Sequence, residues 1–205
     1  MSVKFITIEG IDGCGKSTQS LRIAEWLEER TGCKTVRTFE PGGWPDGKTL
    51  RDFILDSKSY SAMSELLLFL ADRSEHVNRV ILPSLRQGFN VICERYNEST
   101  LAYQSGGHKL NFSQVKRIIR ACNFPEPDIK IFLDIPPEVA VERIKSRGNK
   151  SDKFEEEGLP LLKHVSETYR RIADDEPERF IRVPCGELNE DEVCAEILSR
   201  LEAVT

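Results

Sequence analysis

Gly10-Ile11-Asp12-Gly13-Cys14-Gly15-Lys16-Ser17 has the spacing G-x-x-x-x-G-K-[ST], with Thr18 completing the segment. Those residue types in that order suit one chemistry, the holding of a polyphosphate. Glycines let backbone N–H groups converge on phosphate oxygens with no side chain in the way. The helix expected to follow adds partial positive charge at its N-terminus. Lys16 can reach the outer phosphates, and the Ser17 hydroxyl is placed to ligate Mg²⁺.

A second set, Glu94-Arg95-Tyr96, closes a short apolar run. An acidic residue at a strand end is placed like the metal-side carboxylate of a nucleoside-triphosphate site. Arg95 offers a planar fork for phosphate in the same crevice. Asn149-Lys150-Ser151-Asp152 spells N-K-x-D, a guanine-reading pattern when it follows a buried strand. Here it follows the charged end of a helix, and no D-x-x-G stands just after a strand. The match is read as coincidence.

The elements that must position these residues alternate along the chain. Strands are expected at Lys4–Glu9, Thr35–Phe39, Asn90–Glu94, Ile129–Asp134 and Phe180–Val183. Helices are expected at 17–30, 49–55, 61–87 with a break at Pro83, 97–104, 113–122 with Ser113 as N-cap, 137–147, 159–174 and 190–203. The Ser105–His108 stretch with Gly106 and Gly107 is expected to end the fourth of these, and polar 148–157 to be loop or lid. Alternation of this kind means parallel strands with crossover helices on both faces. Ligands in such sheets bind at the carboxyl ends of the strands. Phe69, Arg73 and His76 share a helix face by their spacing, as do Ser99 and Tyr103.

Composition agrees with one solvated α/β domain. The 205 residues are 39% apolar and 31% charged, with a formal net charge of −5. That balance disfavours a nucleic-acid groove binder, whose affinity comes from cationic contacts to phosphate. No apolar run approaches the ~20 residues of a membrane helix, and no charged leader precedes a long apolar run. The six cysteines form no C-x-x-C pair and read as reduced, cytoplasmic thiols.

Taken together, Gly10 to Thr18, Glu40-Pro41-Gly42-Gly43, Phe69-Leu70-Ala71-Asp72-Arg73 with His76, Glu94-Arg95-Tyr96 and Ser99 to Gln104 resemble the thymidylate kinase family. The likeness runs in order from about residue 3 to residue 175. It implies a P-loop NTPase-type three-layer sandwich with a five-stranded parallel sheet. It also implies a single kinase domain over 1–205 with a lid at about 147–157. The implied reaction is phosphorylation of dTMP to dTDP by ATP with Mg²⁺, in a homodimer built through 61–87. Another nucleoside monophosphate kinase, a deoxynucleoside kinase or a non-catalytic nucleotide-binding protein are the rival readings.

The resemblance also implies roles. Gly10 through Thr18 would hold ATP, and Ser17 and Glu94 the metal. Phe69 would stack on thymine, and Arg73 would hold the base or monophosphate side. Arg95 would bridge donor and acceptor phosphates, with Asp12 near the sugar 3′-hydroxyl. Glu40, Ser99, Thr100, Tyr103 and Gln104 would line the acceptor site, Tyr103 helping to exclude a 2′-hydroxyl. Gly13 stands where some members carry a catalytic arginine, so the lid cations Arg147 and Lys153, with Lys150, take that role. Three positions depart from the family: Glu94 replaces aspartate, Phe39 replaces arginine, and Lys153 replaces the commoner lid arginine.

Overall fold

The computed structural model describes residues 3–56, 60–108, 110–146 and 153–204. Five parallel strands form one sheet: β1 (Phe5–Glu9), β2 (Thr35–Phe39), β3 (Asn90–Glu94), β4 (Ile129–Asp134) and β5 (Phe180–Pro184). Their spatial order is β2-β3-β1-β4-β5. β1 is central and buried at all five positions, the polar Thr7 and Glu9 included. Its register sets Ile8 beside Glu94 of β3 and Glu9 beside Phe132 of β4. The carboxyl ends of β1 and β3 therefore lie side by side.

Helices cover both faces. α1 (Lys16–Thr31) follows the glycine loop and buries Ile23, Ala24 and Leu27. Ile6 and Ile8 share a cluster with these residues, whereas Phe5 packs with Val77, Ile81 and Tyr96. That division follows from side chains alternating across a strand. α2 (Gly47–Asp56) and α3 (Ala62–His76) flank the crevice, and Ser61 caps α3 by accepting from the Ser64 amide at 3.2 Å.

Pro83 does not break the helix that follows. A π-helical turn, Val77–Ile81, runs into α4 (Leu82–Arg86), and Pro83 falls in the first turn of α4, where a missing N–H costs little. The glycine pair does sit at the end of the next helix, as expected, but inside its last turn. α5 (Asn97–Leu101) continues as a π-helical stretch through Gly107. Gly106 and Gly107 are there for close approach to α8 (Lys153–Asp175). A Cβ on Gly106 would lie 2.2 Å from Thr168 Oγ1 and 2.9 Å from the His164 carbonyl. Gly106→Ala should therefore cost about 1–3 kcal/mol and lower Tm by about 3–10 °C. An unchanged melting curve would show that the contact is not tight.

α6 (Phe112–Ala121) is capped by Asn111, whose side chain accepts from Gln114 N at 3.0 Å, and not by Ser113. The hydrogen-bond pattern starts one residue earlier than composition suggests. α7 (Pro137–Ser146) begins with proline, as expected. Residues 147–152, including Arg147, Lys150 and the N-K-x-D segment, lie outside the described residues. α8 begins at Lys153, so the second half of the expected 148–157 loop is helix, kinked at Gly158 with φ 67°. α9 (Glu190–Val204) closes the chain.

Candidate active site

The loop from β1 to α1 turns sharply on glycines. Gly10, Gly13 and Gly15 have φ of 141°, 83° and 97°. A Cβ on Gly13 would also sit 2.7 Å from the Ala140 carbonyl. This backbone has no room for a side chain at that position, in keeping with the expected absence of a loop arginine. Ile11 turns its side chain into the core, and Cys14 is buried with it, its Sγ accepting from Lys16 Nζ at 3.6 Å.

Lys16 arches back over the loop. Its Nζ donates to the Gly10 and Ile11 carbonyls at 2.9 and 3.0 Å, and Asp12 lies 3.9 Å away. Ser17 Oγ donates to Glu94 Oε2 at 2.7 Å, and Ser20 Oγ donates to Glu94 Oε1 at 2.8 Å. The longer carboxylate at position 94 thus reaches the serine directly, with Arg37 4.0 Å behind it. A hydroxyl and a carboxylate side by side are hard oxygen donors, the set that Mg²⁺ takes.

Arg95 stands at the end of β3 with φ 69°, an uncommon backbone for a bulky side chain. Its Nη2 donates to Asp12 of the glycine loop, and its guanidinium lies 5.0 Å over the Tyr103 ring. Tyr103 donates to Asp12 Oδ2 at 2.9 Å. Burial alone would raise the Asp12 carboxyl, but Arg95 and Lys16 outweigh it and hold it well below the usual range. Burial conversely pushes the Tyr103 hydroxyl up, so it stays a donor.

Arg73 is 1% exposed. It donates to Glu40 at 2.6 Å, to Asn97 Oδ1 at 3.2 Å and to the Tyr96 carbonyl at 2.9 Å. Glu40 also meets His76 Nδ1 at 2.9 Å, and the far nitrogen of His76 lies 2.6 Å from Thr38 Oγ1. His76 is thus a strut between β2 and α3. Asp72 holds the glycine turn of 40–43, accepting from Gly42 N and Trp44 Nε1.

Lys16, Glu94, Arg95, Glu40 and Arg73 line one cavity of about 290 Å³, with His76 and Asp72 behind its wall. It joins Lys16, Ser17, Thr18 and Glu94 at one end to Glu40, Phe69 and Arg73 at the other. Asp12, Arg95, Ser99, Thr100, Tyr103 and Gln104 also line it. Phe69 is half-buried and faces the cavity while packing on the core. Ser99 differs from expectation: its hydroxyl turns to Glu9 and Tyr169, each at 2.6 Å. The side chain of Lys153 lies outside the described residues, as does all of Arg147.

Sequence reading missed Arg51 and Phe154. Arg51 lines the cavity, donates to the Pro41 carbonyl at 2.7 Å and lies 5.4 Å over the Phe39 ring. A lone arginine on a short helix has no motif; only the fold of the 40–47 loop brings it in. Phe154 reaches the cavity from the start of α8, edge-on to Tyr103 at 5.6 Å.

Glu9 lies beneath the site, fully buried. Burial first, then Glu98, pushes its carboxyl up to about 7. The folded state then binds more protons than the unfolded state between about pH 4.5 and 7, so stability falls as pH rises through that window. Glu9→Gln should flatten the slope: its urea midpoint should change less than wild type's between pH 5 and 8. Parallel pH dependences of the two proteins would contradict this.

Comparison with known proteins agrees with the geometry. The thymidylate kinase family matches residues 8–197. A thymidylate kinase of Synechococcus sp. (strain JA-3-3Ab) is 41% identical over 183 residues, covering 89% of this chain and 87% of that protein. One from Prochlorococcus marinus (strain MIT 9312) is 41% identical over 189 residues, covering 88% of each. The crystal structure of thymidylate kinase from Ehrlichia chaffeensis superposes with a TM-score of 0.79 at 31% identity, covering 98% and 99% of the two chains. With a family match over nearly the whole sheet and a glycine loop, strand-end arginine and acceptor crevice in one cavity, this chain belongs to the thymidylate kinase family.

Proposed function

We propose that this chain transfers the terminal phosphoryl group of ATP to dTMP, giving dTDP and ADP, within one kinase domain over residues 1–205. The observation that carries the reading is the Arg95–Asp12 pair, which ties a strand-end guanidinium to the glycine loop in the cavity that Lys16 and Arg73 share.

The chemistry asks for positioning and charge stabilisation. Backbone amides of residues 10–18 and the Lys16 ammonium hold the triphosphate. Ser17 and Glu94 are the residues that would hold Mg²⁺, which when bound neutralises charge on the donor phosphates. Arg95 orients the acceptor phosphate, with Arg73 at the acceptor side. An acceptor oxygen attacks the γ-phosphorus in line; the new P–O bond forms as the bond to the β,γ-bridging oxygen breaks and the electron pair stays on ADP. The acceptor phosphate is already an oxyanion, so no strong base is needed.

Phe69 serves as the base platform, and Tyr103, held to Asp12, closes the space a 2′-hydroxyl would need. Thr100 and Gln104 complete the acceptor wall, while Ser99 acts from behind by fixing α5. The 147–157 segment serves as lid, with Arg147 and Lys153 supplying charge to the transferring group. Closure over the cavity excludes water and limits wasteful hydrolysis. Leu67 and Phe53, each about half exposed, support a homodimer through α3 and its neighbour α2. All six cysteines are free, which supports a cytoplasmic enzyme. No described helix is long and apolar enough to cross a membrane.

Initial rates with dTMP, dUMP, dCMP, dGMP and thymidine at fixed ATP and Mg²⁺ test the reading. The highest kcat/KM should fall on dTMP. A clear preference for another acceptor would replace the assignment within the same reaction class.

A further inference from the structure

We propose that Glu65 sets which base edge the acceptor site admits, by fixing the side-chain amide of Gln104. The inference rests on the dTMP kinase reading and adds a positioning residue to it. Gln104 lines the cavity yet is 1% exposed, and its Nε2 donates to Glu65 Oε1 at 3.0 Å. Glu65, 4% exposed in the first turn of α3, takes a second donor on the same oxygen, His108 Nδ1 at 2.6 Å. The hydrogen bond to Glu65, before any other cause, raises the His108 pKa. An ionised carboxylate is acceptor-only, so the amide must turn an N–H toward it.

That orientation leaves the Gln104 carbonyl oxygen as the acceptor offered to a ligand. A pyrimidine with an N–H on its pairing edge, thymine or uracil, complements it. Cytosine presents a bare ring nitrogen there, so two acceptors face each other in a buried site. Without the carboxylate the amide could turn over and serve either base. His108 also stacks on Phe154, with ring centroids 5.5 Å apart and planes 16° apart, which holds the imidazole in line with Glu65.

The test compares kcat/KM for dTMP, dUMP and dCMP in wild type, Glu65→Gln and His108→Phe. Glutamine keeps the shape of glutamate and can accept or donate. The dTMP-to-dCMP ratio should fall about tenfold or more in Glu65→Gln, and by less in His108→Phe, which keeps the stack. The dTMP-to-dUMP ratio should not move, because both bases carry the same N–H. A general loosening of the site would shift both ratios. Calorimetric affinities for dTMP and dCMP should shift in parallel with the rates. An unchanged dTMP-to-dCMP ratio in folded Glu65→Gln, with a selective wild type, overturns this inference alone. A wild type that does not use dTMP overturns the functional reading and this inference together.

Discussion

Lys16→Met should abolish nearly all turnover, lowering kcat by about 10³-fold, while the protein stays folded. The Lys16 ammonium sits over the glycine loop, held by the Gly10 and Ile11 carbonyls, at the donor end of the cavity. No other lysine or arginine among the described cavity-lining residues belongs to that loop. Methionine keeps the length and volume of the stem and removes only the charge. The Gly10 and Ile11 carbonyls it uncovers lose a buried donor, a loss of about 1–3 kcal/mol, so Tm should fall by several degrees without unfolding the protein. Steady-state kinetics and a melting curve on the same preparation check both parts. A variant within tenfold of wild-type kcat would place phosphate binding elsewhere.

Arg95 has the second large effect, and its backbone makes the effect separable from stability. Arg95→Ala should lower kcat/KM for the acceptor by about 10³-fold, and Arg95→Lys by somewhat less, since lysine keeps charge but loses the planar fork. Both leave Asp12 without its guanidinium partner, so both should melt lower than wild type. At φ 69° an alanine Cβ is strained and a glycine is not. Arg95→Gly should therefore melt at or above Arg95→Ala, by up to about 1 kcal/mol, while being no more active. If activity instead tracked melting temperature across Ala, Gly and Lys, Arg95 would be a scaffold residue.

Much of this was legible in the residues. A strand, a glycine loop and a helix in that order carry their own punctuation, and Phe5, Ile6 and Ile8 mark the strand. The cavity also brings together residues from all five quoted motifs, because each lies at the carboxyl end of a strand or on the helix facing it. What stayed hidden depends on tertiary contact. Gly106 and Gly107 read in sequence only as a helix stop, and that they are also small because α8 passes over them does not show there. Ser99 lines the cavity, but that its hydroxyl answers a buried carboxylate on β1 does not show in its spacing. Glu65 reads as an ordinary first-turn acid, and only the packing of α3 against Gln104 and His108 gives it an effect on selectivity. Arg51 enters through a loop whose path no local pattern records.

Phosphoryl transfer between two nucleotides in one cleft is the claim that all the residue roles serve. Product analysis by anion-exchange chromatography, with ATP and Mg²⁺ in the presence and absence of dTMP, tests it most directly. One dTDP should form for each ADP released, with only trace ADP when dTMP is omitted. ADP released at the same rate without dTMP, or ADP with no dTDP, would contradict it.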